Sequence, residues 1–392
     1  MMHVVGGAYF ERCLFPPWNQ LYGSAGRAAA LISQTGTPVT LHSYVSGDAA
    51  ASLETVAATY GFQTALSKTP VTYAFDYVHP LAEPRIIPDK PSTLLPAISL
   101  REDVVLRFGM IEGDAVVQAR MAVYDPQSAF NPAPFEANGS SAKRLAVIMN
   151  AFEASCITGK ASTSDALADL LRTAEAAVIK NGADGVLVGT VAGSRRIRAF
   201  RTNGAFTIGS GDIFSAAFAY LWAIEERDPF DAAELASLAV AAYVESRSLP
   251  PLTEALLRTP VRQPIEPDTG AKVYLAGPFF NLPQRWLVTE ARSLMAAQGL
   301  AVMSPLHDVG VGDAQDVAPQ DIAMLEKCDK VFAILDGSDE GTLFEVGYAR
   351  AIQKPVICYT QNLTEEQLKM FRGSGCTILD DFASAIALTT QK

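Results

Sequence analysis

Apolar residues along this chain come in short strand-length blocks, separated by longer stretches in which they recur at helical spacing. "MHVVGGA" reads as a strand running into glycines, "AGRAAALISQTG" as a helix ended by glycine, and "PVTLHSYVSG" as a second strand, with a short helix expected around 49–60. From 68 to 120 the β-branched residues and prolines predict a small sheet or lid. Alternation then resumes with "QARMAVYDP" as a strand, "SSAKRLAVIMNAFEAS", a helix at 164–175, "AAVIKNGADGVLV" as strand and turn, and a long apolar helix from Asp212. Strands that alternate with helices imply a mostly parallel sheet covered on both faces.

Pro250, Pro251, Pro260, Pro264 and Pro267 interrupt any helical or strand period, and "KVYLAG" beyond them starts a fresh apolar strand. The expected organisation is a domain at 1–248, a proline-rich linker at 249–271 and a second domain at 272–392. This second domain repeats the strand–helix pattern in a smaller space, from "KVYLAGP" through "LAVMSP" and "KVFAILDG" to "PVICYT". The fold class expected is α/β, with two doubly wound domains. Ligands of such sheets sit at the carboxyl ends of the strands, where "AGPFF", "SPLHD" and "DGSDEGT" fall.

A chain of 392 residues suits two domains, and 49% apolar against 19% charged residues leaves no stretch that reads as disordered. The formal net charge of −11 argues against a nucleic-acid polymer as partner. The one basic run, "SRRIRAFR" at 194–201, reads as a solvated strand or hairpin. Five scattered cysteines without a CxxC pair suggest neither a disulfide framework nor a zinc site. No apolar run is long enough to span a bilayer and no cleavable leader is evident, so a cytoplasmic protein that takes small molecules is expected.

Glu345 can be read in two ways. Thr342-Leu343-Phe344-Glu345 fits a capping box, in which the glutamate bonds back to the helix start. Against this, Asp339 precedes it across a glycine turn, Asp321 is expected to open the preceding helix, and "YLAGPFF" supplies a strand ending in a Gly-Pro loop with two aromatics. These would converge on one crevice. "YLAGPFF", "SPL", "QDIAMLEKCDKVFAILDG" and "DEGTLFEVGYA" resemble, in order and spacing, the nucleoside 2-deoxyribosyltransferase family over nearly all of 272–361. The resemblance implies a flavodoxin- or Rossmann-like domain without a cofactor, working on nucleosides and nucleobases, in a homo-oligomer. It makes Glu345 the nucleophile toward the anomeric carbon, with Asp321 and Asp339 holding or protonating the base. Tyr274 would orient the glutamate, and Gly277, Pro278 and Phe279 would line the substrate site. Glycosidic cleavage needs an ionised carboxylate near the anomeric carbon and a second, protonated one for the leaving base. Transfer to a second base and hydrolysis both remain open.

The second constellation is "TIGSGDIFSAAFAY", where Gly209, Ser210 and Gly211 offer backbone N–H groups at a helix start and Asp212 sits at its mouth. An ordinary glycine turn capped by aspartate is the plain alternative. With "NAFE" (Asn150 to Glu153) and "IKNGADGVLV", this order resembles the PfkB or ribokinase family of sugar and nucleoside kinases over roughly 1–250. The resemblance implies a ribokinase-like domain using ATP and Mg²⁺ on a sugar, sugar phosphate or nucleoside. Asp212 would deprotonate the acceptor hydroxyl, the amides of 209–211 would receive the transferring phosphoryl, and Asn150 and Glu153 would organise Mg²⁺ and phosphate through water. Arg27 stands where the family has an asparagine, which suits an anionic substrate group or a domain that binds nucleotide without phosphorylating. A bifunctional nucleoside-metabolising enzyme is therefore expected, the alternative being a nucleoside or nucleotide hydrolase with an inactive nucleotide-sensing domain.

Overall fold

The long strands of the N-terminal half send alternate residues to opposite faces. In Ser141–Asn150, Ala146 and Ile148 join one apolar cluster, while Leu145, Val147 and Met149 join another. The first cluster takes the helices Gly23–Ser33, Ser210–Ala223 and Pro229–Ser246, and the second takes Ala151–Thr158 and Thr163–Leu170. Both faces of the sheet are covered, as its unbroken apolar strands require.

In this computed structural model, which describes residues 1–128 and 131–392, the chain divides into two units, Met1–Ile265 and Glu266–Lys392. The first holds a nine-stranded sheet. From one edge it runs Gly193–Ile197, Val186–Thr190, Ala176–Lys180, Ser141–Asn150, Ala115–Asp125, Ile98–Phe108, Met2–Val5, Val39–Val45 and Gln63–Lys68. Only the Gly193 and Val186 strands pair antiparallel. Phe10–Cys13, Trp18–Leu21, Ala74–Tyr77 and Arg85–Ile87 form a separate four-stranded sheet.

The expectation of one small sheet across 68–120 holds for only part of that region. Its prolines end at Pro96, and beyond them Ile98–Phe108 and Ala115–Asp125 are central strands of the large sheet. The proline-rich stretch 249–271 is not a free linker either. Leu252 and Leu257 are buried in the N-terminal core, Phe200 bridges to Pro264, and Pro267 pairs with Gln391 in the second unit. Apolar residues set between prolines still pack when a core lies beside them.

The second unit is an all-parallel sheet ordered Ala301–Met303, Lys272–Ala276, Lys330–Ile334, Val356–Tyr359, Thr377–Leu379. In chain order this is 2-1-3-4-5, so winding reverses between the Lys272 and Lys330 strands and opens a crevice at their carboxyl ends. Tyr274, Ala333 and Cys358 pack on one face with Leu325, Val346 and Leu368, and Tyr359 meets Phe382 at 5.3 Å. Among the described residues, no helix is long and apolar enough to cross a membrane.

Candidate functional sites

At the crevice of the second unit, the helix Glu340–Ala351 begins earlier than a capping box at Thr342 demands. Its cap is Asp339, whose Oδ2 accepts the Thr342 N–H and the Thr342 hydroxyl, each at 2.7 Å. That leaves Glu345 in the second turn with no end to cap. Its Oε1 instead accepts the phenol of Tyr274 at 2.5 Å, and Oε2 has no hydrogen-bond partner among the described residues. Tyr274 lies in the first strand with no exposed surface.

Burial pushes the Glu345 carboxyl up to about 7; the Tyr274 hydrogen bond opposes this, and the nearby Asp321 and Asp339 reinforce it. Asp321 is also raised, by burial, and its Oδ1 is buried without a partner. It does not open its helix: Ala314–Lys327 is capped at Asp313 and runs through Pro319, placing Asp321 in the third turn. Proline tolerated inside a helix hid the earlier start. Three carboxyls thus meet. Asp339 gives one oxygen to its cap, Asp321 keeps an unpaired one, and Glu345 is positioned by a phenol.

Gly277 follows the Lys272–Ala276 strand where a Cβ would come within 3.2 Å of Ile334 Cβ and 3.3 Å of Val288 Cγ2, so only glycine lets the loop turn against both. Pro278 is buried behind it, and Phe279 stacks on Phe280 at 5.5 Å. Asp336 binds the N–H groups of Gln361 and Asn362, which fixes the next loop along the same sheet edge.

In the N-terminal unit, Gly209 caps the helix Ser210–Ala223 at φ 76°, a conformation that suits glycine. Of the amides at 209–211, that of Ser210 is taken by the Thr207 carbonyl at 3.0 Å. Arg27 corrects the expectation of a residue that meets substrate. It has no exposed surface; its guanidinium lies between Glu11 and Asp212, with Nη1 at 2.8 Å from Glu11 Oε1 and 2.7 Å from Asp212 Oδ2. A further bond joins Nη2 to Glu11 Oε2. Tyr22 and Tyr243 cover the guanidinium at 5.3 and 5.8 Å. The anion that suits Arg27 is supplied by the chain itself, and Glu11, inside "GGAYFERC", had given no sign of it. Asp212 is held on both oxygens, since Oδ1 accepts from Gln127 Nε2 at 2.5 Å.

Asn150 and Glu153 form a capping box of their own: Asn150 Oδ1 accepts the Glu153 N–H and Glu153 Oε2 accepts the Asn150 N–H, each at 2.8 Å. Glu153 Oε1 takes the Ser128 N–H at 2.9 Å, and burial, with Asp125 nearby, lifts this carboxyl to about 7. These residues line a cavity of about 460 Å³ together with Asp125, Gln127, Phe152 and Lys180. A second cavity of about 570 Å³ includes Tyr9, Glu11, Tyr77, Gln127 and Asp212. Sequence reading missed Asp125, Gln127 and Lys180, although a lysine closing the apolar run "AAVIK" marks a charge at a strand's carboxyl end.

Comparison with known proteins agrees with this geometry. Residues 140–253 match the model of the pfkB family carbohydrate kinases, and residues 273–381 that of nucleoside 2-deoxyribosyltransferases. No curated protein matches the chain. A fructokinase double mutant from Vibrio cholerae O395, solved with fructose, ADP and potassium, superposes with TM-score 0.51 at 14% identity, covering 65% of this chain and 96% of that one. A PfkB protein from Polaromonas sp. JS666 gives 0.48 at 14% identity over 65% and 98% of the two chains. The fructokinase shows a shared fold, with a large, mostly parallel sheet. The chain therefore joins a PfkB carbohydrate-kinase family domain to a nucleoside 2-deoxyribosyltransferase family domain, in that order.

Proposed function

We propose that the protein is a transferase of nucleoside metabolism whose C-terminal unit cleaves an N-glycosidic bond and passes the (deoxy)ribosyl group between nucleobases. The Tyr274–Glu345 hydrogen bond carries this reading, because a buried glutamate freed from capping and aimed by a phenol is placed as a nucleophile. Ionised Glu345 attacks C1′ as the bond to the base breaks. The departing base takes a proton from the Asp321 carboxyl, which burial keeps protonated more readily than an exposed aspartate. Attack by a second base at C1′ then expels Glu345 and returns a proton to Asp321. Asp339, with Oδ2 committed to Thr342, would reach the base through its other oxygen.

Incubation of the protein with a 2-deoxynucleoside and a different free base is expected to yield a new nucleoside. Release of free base at one rate with or without acceptor, and no new nucleoside, establishes hydrolysis instead. Because only ionised Glu345 attacks, kcat/KM should fall as pH drops through about 7. An acid limb near the ordinary glutamate value, about 4.3, would rule out Glu345 as the titrating group.

For the N-terminal unit we propose ATP-dependent phosphotransfer to a sugar or nucleoside hydroxyl. Mg²⁺, when bound, would neutralise phosphate charge beside Asn150 and Glu153. Among the described residues no cluster of three or more His, Cys, Asp or Glu is gathered for a metal, which fits an ion held through phosphate and water. The guanidinium on Asp212 favours a second reading, in which this unit binds nucleotide without transferring phosphate. Screening nucleosides, sugars and their monophosphates with Mg-ATP decides it: ATP turnover with any of them supports the kinase, and tight ATP binding without turnover supports the sensor.

A further inference from the structure

Lys180 ends the strand Ala176–Lys180, in register with Asn150, and its Nζ lies 2.5 Å from Asp125 Oδ2. A Cβ added at Gly211 would stand 3.6 Å from that Nζ, so the ammonium sits against the first turn of the Ser210 helix. Burial works against its charge, yet Asp125 and Glu153 outweigh burial and keep it charged. Arg27, the other cation at this end of the sheet, is committed to Glu11 and Asp212.

The cluster is incomplete as it stands. Asp125 has no exposed surface; its Oδ2 takes both Lys180 and the Ser215 hydroxyl at 2.6 Å, while Oδ1 is buried with no partner. A carboxylate oxygen left so is costly unless a ligand supplies a donor or cation. The helix start and the ammonium call for an anion in the same cavity, and the unpaired oxygen calls for a cation.

We propose that Lys180 binds the terminal phosphate of a magnesium-bound polyphosphate, with the unpaired oxygen of Asp125 facing the accompanying cation or its water. This rests on the phosphate-binding reading of the N-terminal unit and is independent of phosphotransfer. Phe152, 54% exposed at the same cavity, offers a ring for a nucleobase when the polyphosphate belongs to a nucleotide.

The test is calorimetric titration of the full chain with inorganic tripolyphosphate, and separately with ATP, in MgCl₂. Wild type and Lys180→Arg are expected to bind tripolyphosphate. Because Lys180→Met strands a buried Asp125, the comparison is Asp125→Asn against Asp125→Asn with Lys180→Met, and the double variant should bind roughly ten- to a hundredfold more weakly, the range for one charge-assisted hydrogen bond. ATP binding tighter than tripolyphosphate, with the difference erased in Phe152→Ala, identifies a nucleotide, and equal binding identifies the polyphosphate tail alone. Equal affinity of the single and double variants, or no binding of either probe by wild type, overturns the assignment. Absence of ATP turnover with binding intact removes the kinase reading and leaves this one standing.

Discussion

Glu345→Gln is expected to abolish nucleoside cleavage and, at pH 8, to raise the stability of the C-terminal unit. The first effect follows from removing the carboxylate that would bond to C1′: an amide of the same shape is not a nucleophile, so the covalent route closes. The second follows from linkage. The folded carboxyl ionises near 7, against an unfolded value near 4.5. Between these values the folded state holds a proton that the unfolded state has lost, so this group's contribution falls as pH rises and is fully unfavourable above 7. Glutamine removes that penalty, which we place on the order of 2 kcal/mol after allowing for the partial exposure of the side chain. A helix cap behaves oppositely, its loss costing about 0.5–2 kcal/mol, and that is the result expected for Asp339→Ala. Thermal unfolding at pH 5 and pH 8, with chromatography of released base, reads both effects. A Glu345→Gln protein that still cleaves, or that is destabilised at pH 8, would return Glu345 to a structural role.

The capping question shows where sequence reading reached its limit. Thr342 and Glu345 have the right residue types and spacing for a box, and nothing in the string separates that register from one starting at Asp339. The distinction lies in Tyr274, far away in sequence, whose phenol takes the carboxylate that a box would have used. Strand order and the crevice were legible, because alternating blocks and glycine-rich loops dictate a parallel sheet and its binding edge. The start of the helix before Asp321 was not, since Pro319 reads as a boundary and is carried inside the helix. The carboxyls at the C-terminal site were readable as a motif, but which oxygen stays unpaired is a property of packing.

The same limit shaped the reading of Arg27. A lone arginine near a glycine-rich helix start points toward an anionic ligand, and only the fold reveals that Glu11, two strands of backbone away, supplies the anion. The two units also hold their acids differently. In the C-terminal unit Glu345 keeps an unbonded oxygen, whereas in the N-terminal unit each oxygen of Asp212 carries a donor. Reactivity toward substrate is therefore more direct in the former, and Asp212 must exchange a donor to accept a proton.

Arg27→Ala is expected to destabilise the N-terminal unit by about 3–5 kcal/mol, the range for removing one partner of a buried ion pair. Two carboxylates would lose their common cation, and Glu11 and Asp212 would be left facing each other with no exposed surface available to Arg27's replacement. The rings of Tyr22 and Tyr243 would lose their guanidinium as well. Arg27→Met combined with Glu11→Gln removes opposite charges together, so most of the stability should return, because a buried pair replaced by groups of similar volume is often neutral. That double variant also releases Asp212 Oδ2. If the clamp silences phosphotransfer, ATP turnover should appear or rise in the double variant while the base-exchange activity, which belongs to the other unit, stays unchanged. If turnover present in wild type is lost instead, Arg27 serves the transferring phosphoryl and the sensor reading falls. Denaturant unfolding of the N-terminal transition checks the first claim, and an Arg27→Ala protein within about 1 kcal/mol of wild type would show that the clamp contributes little to the fold.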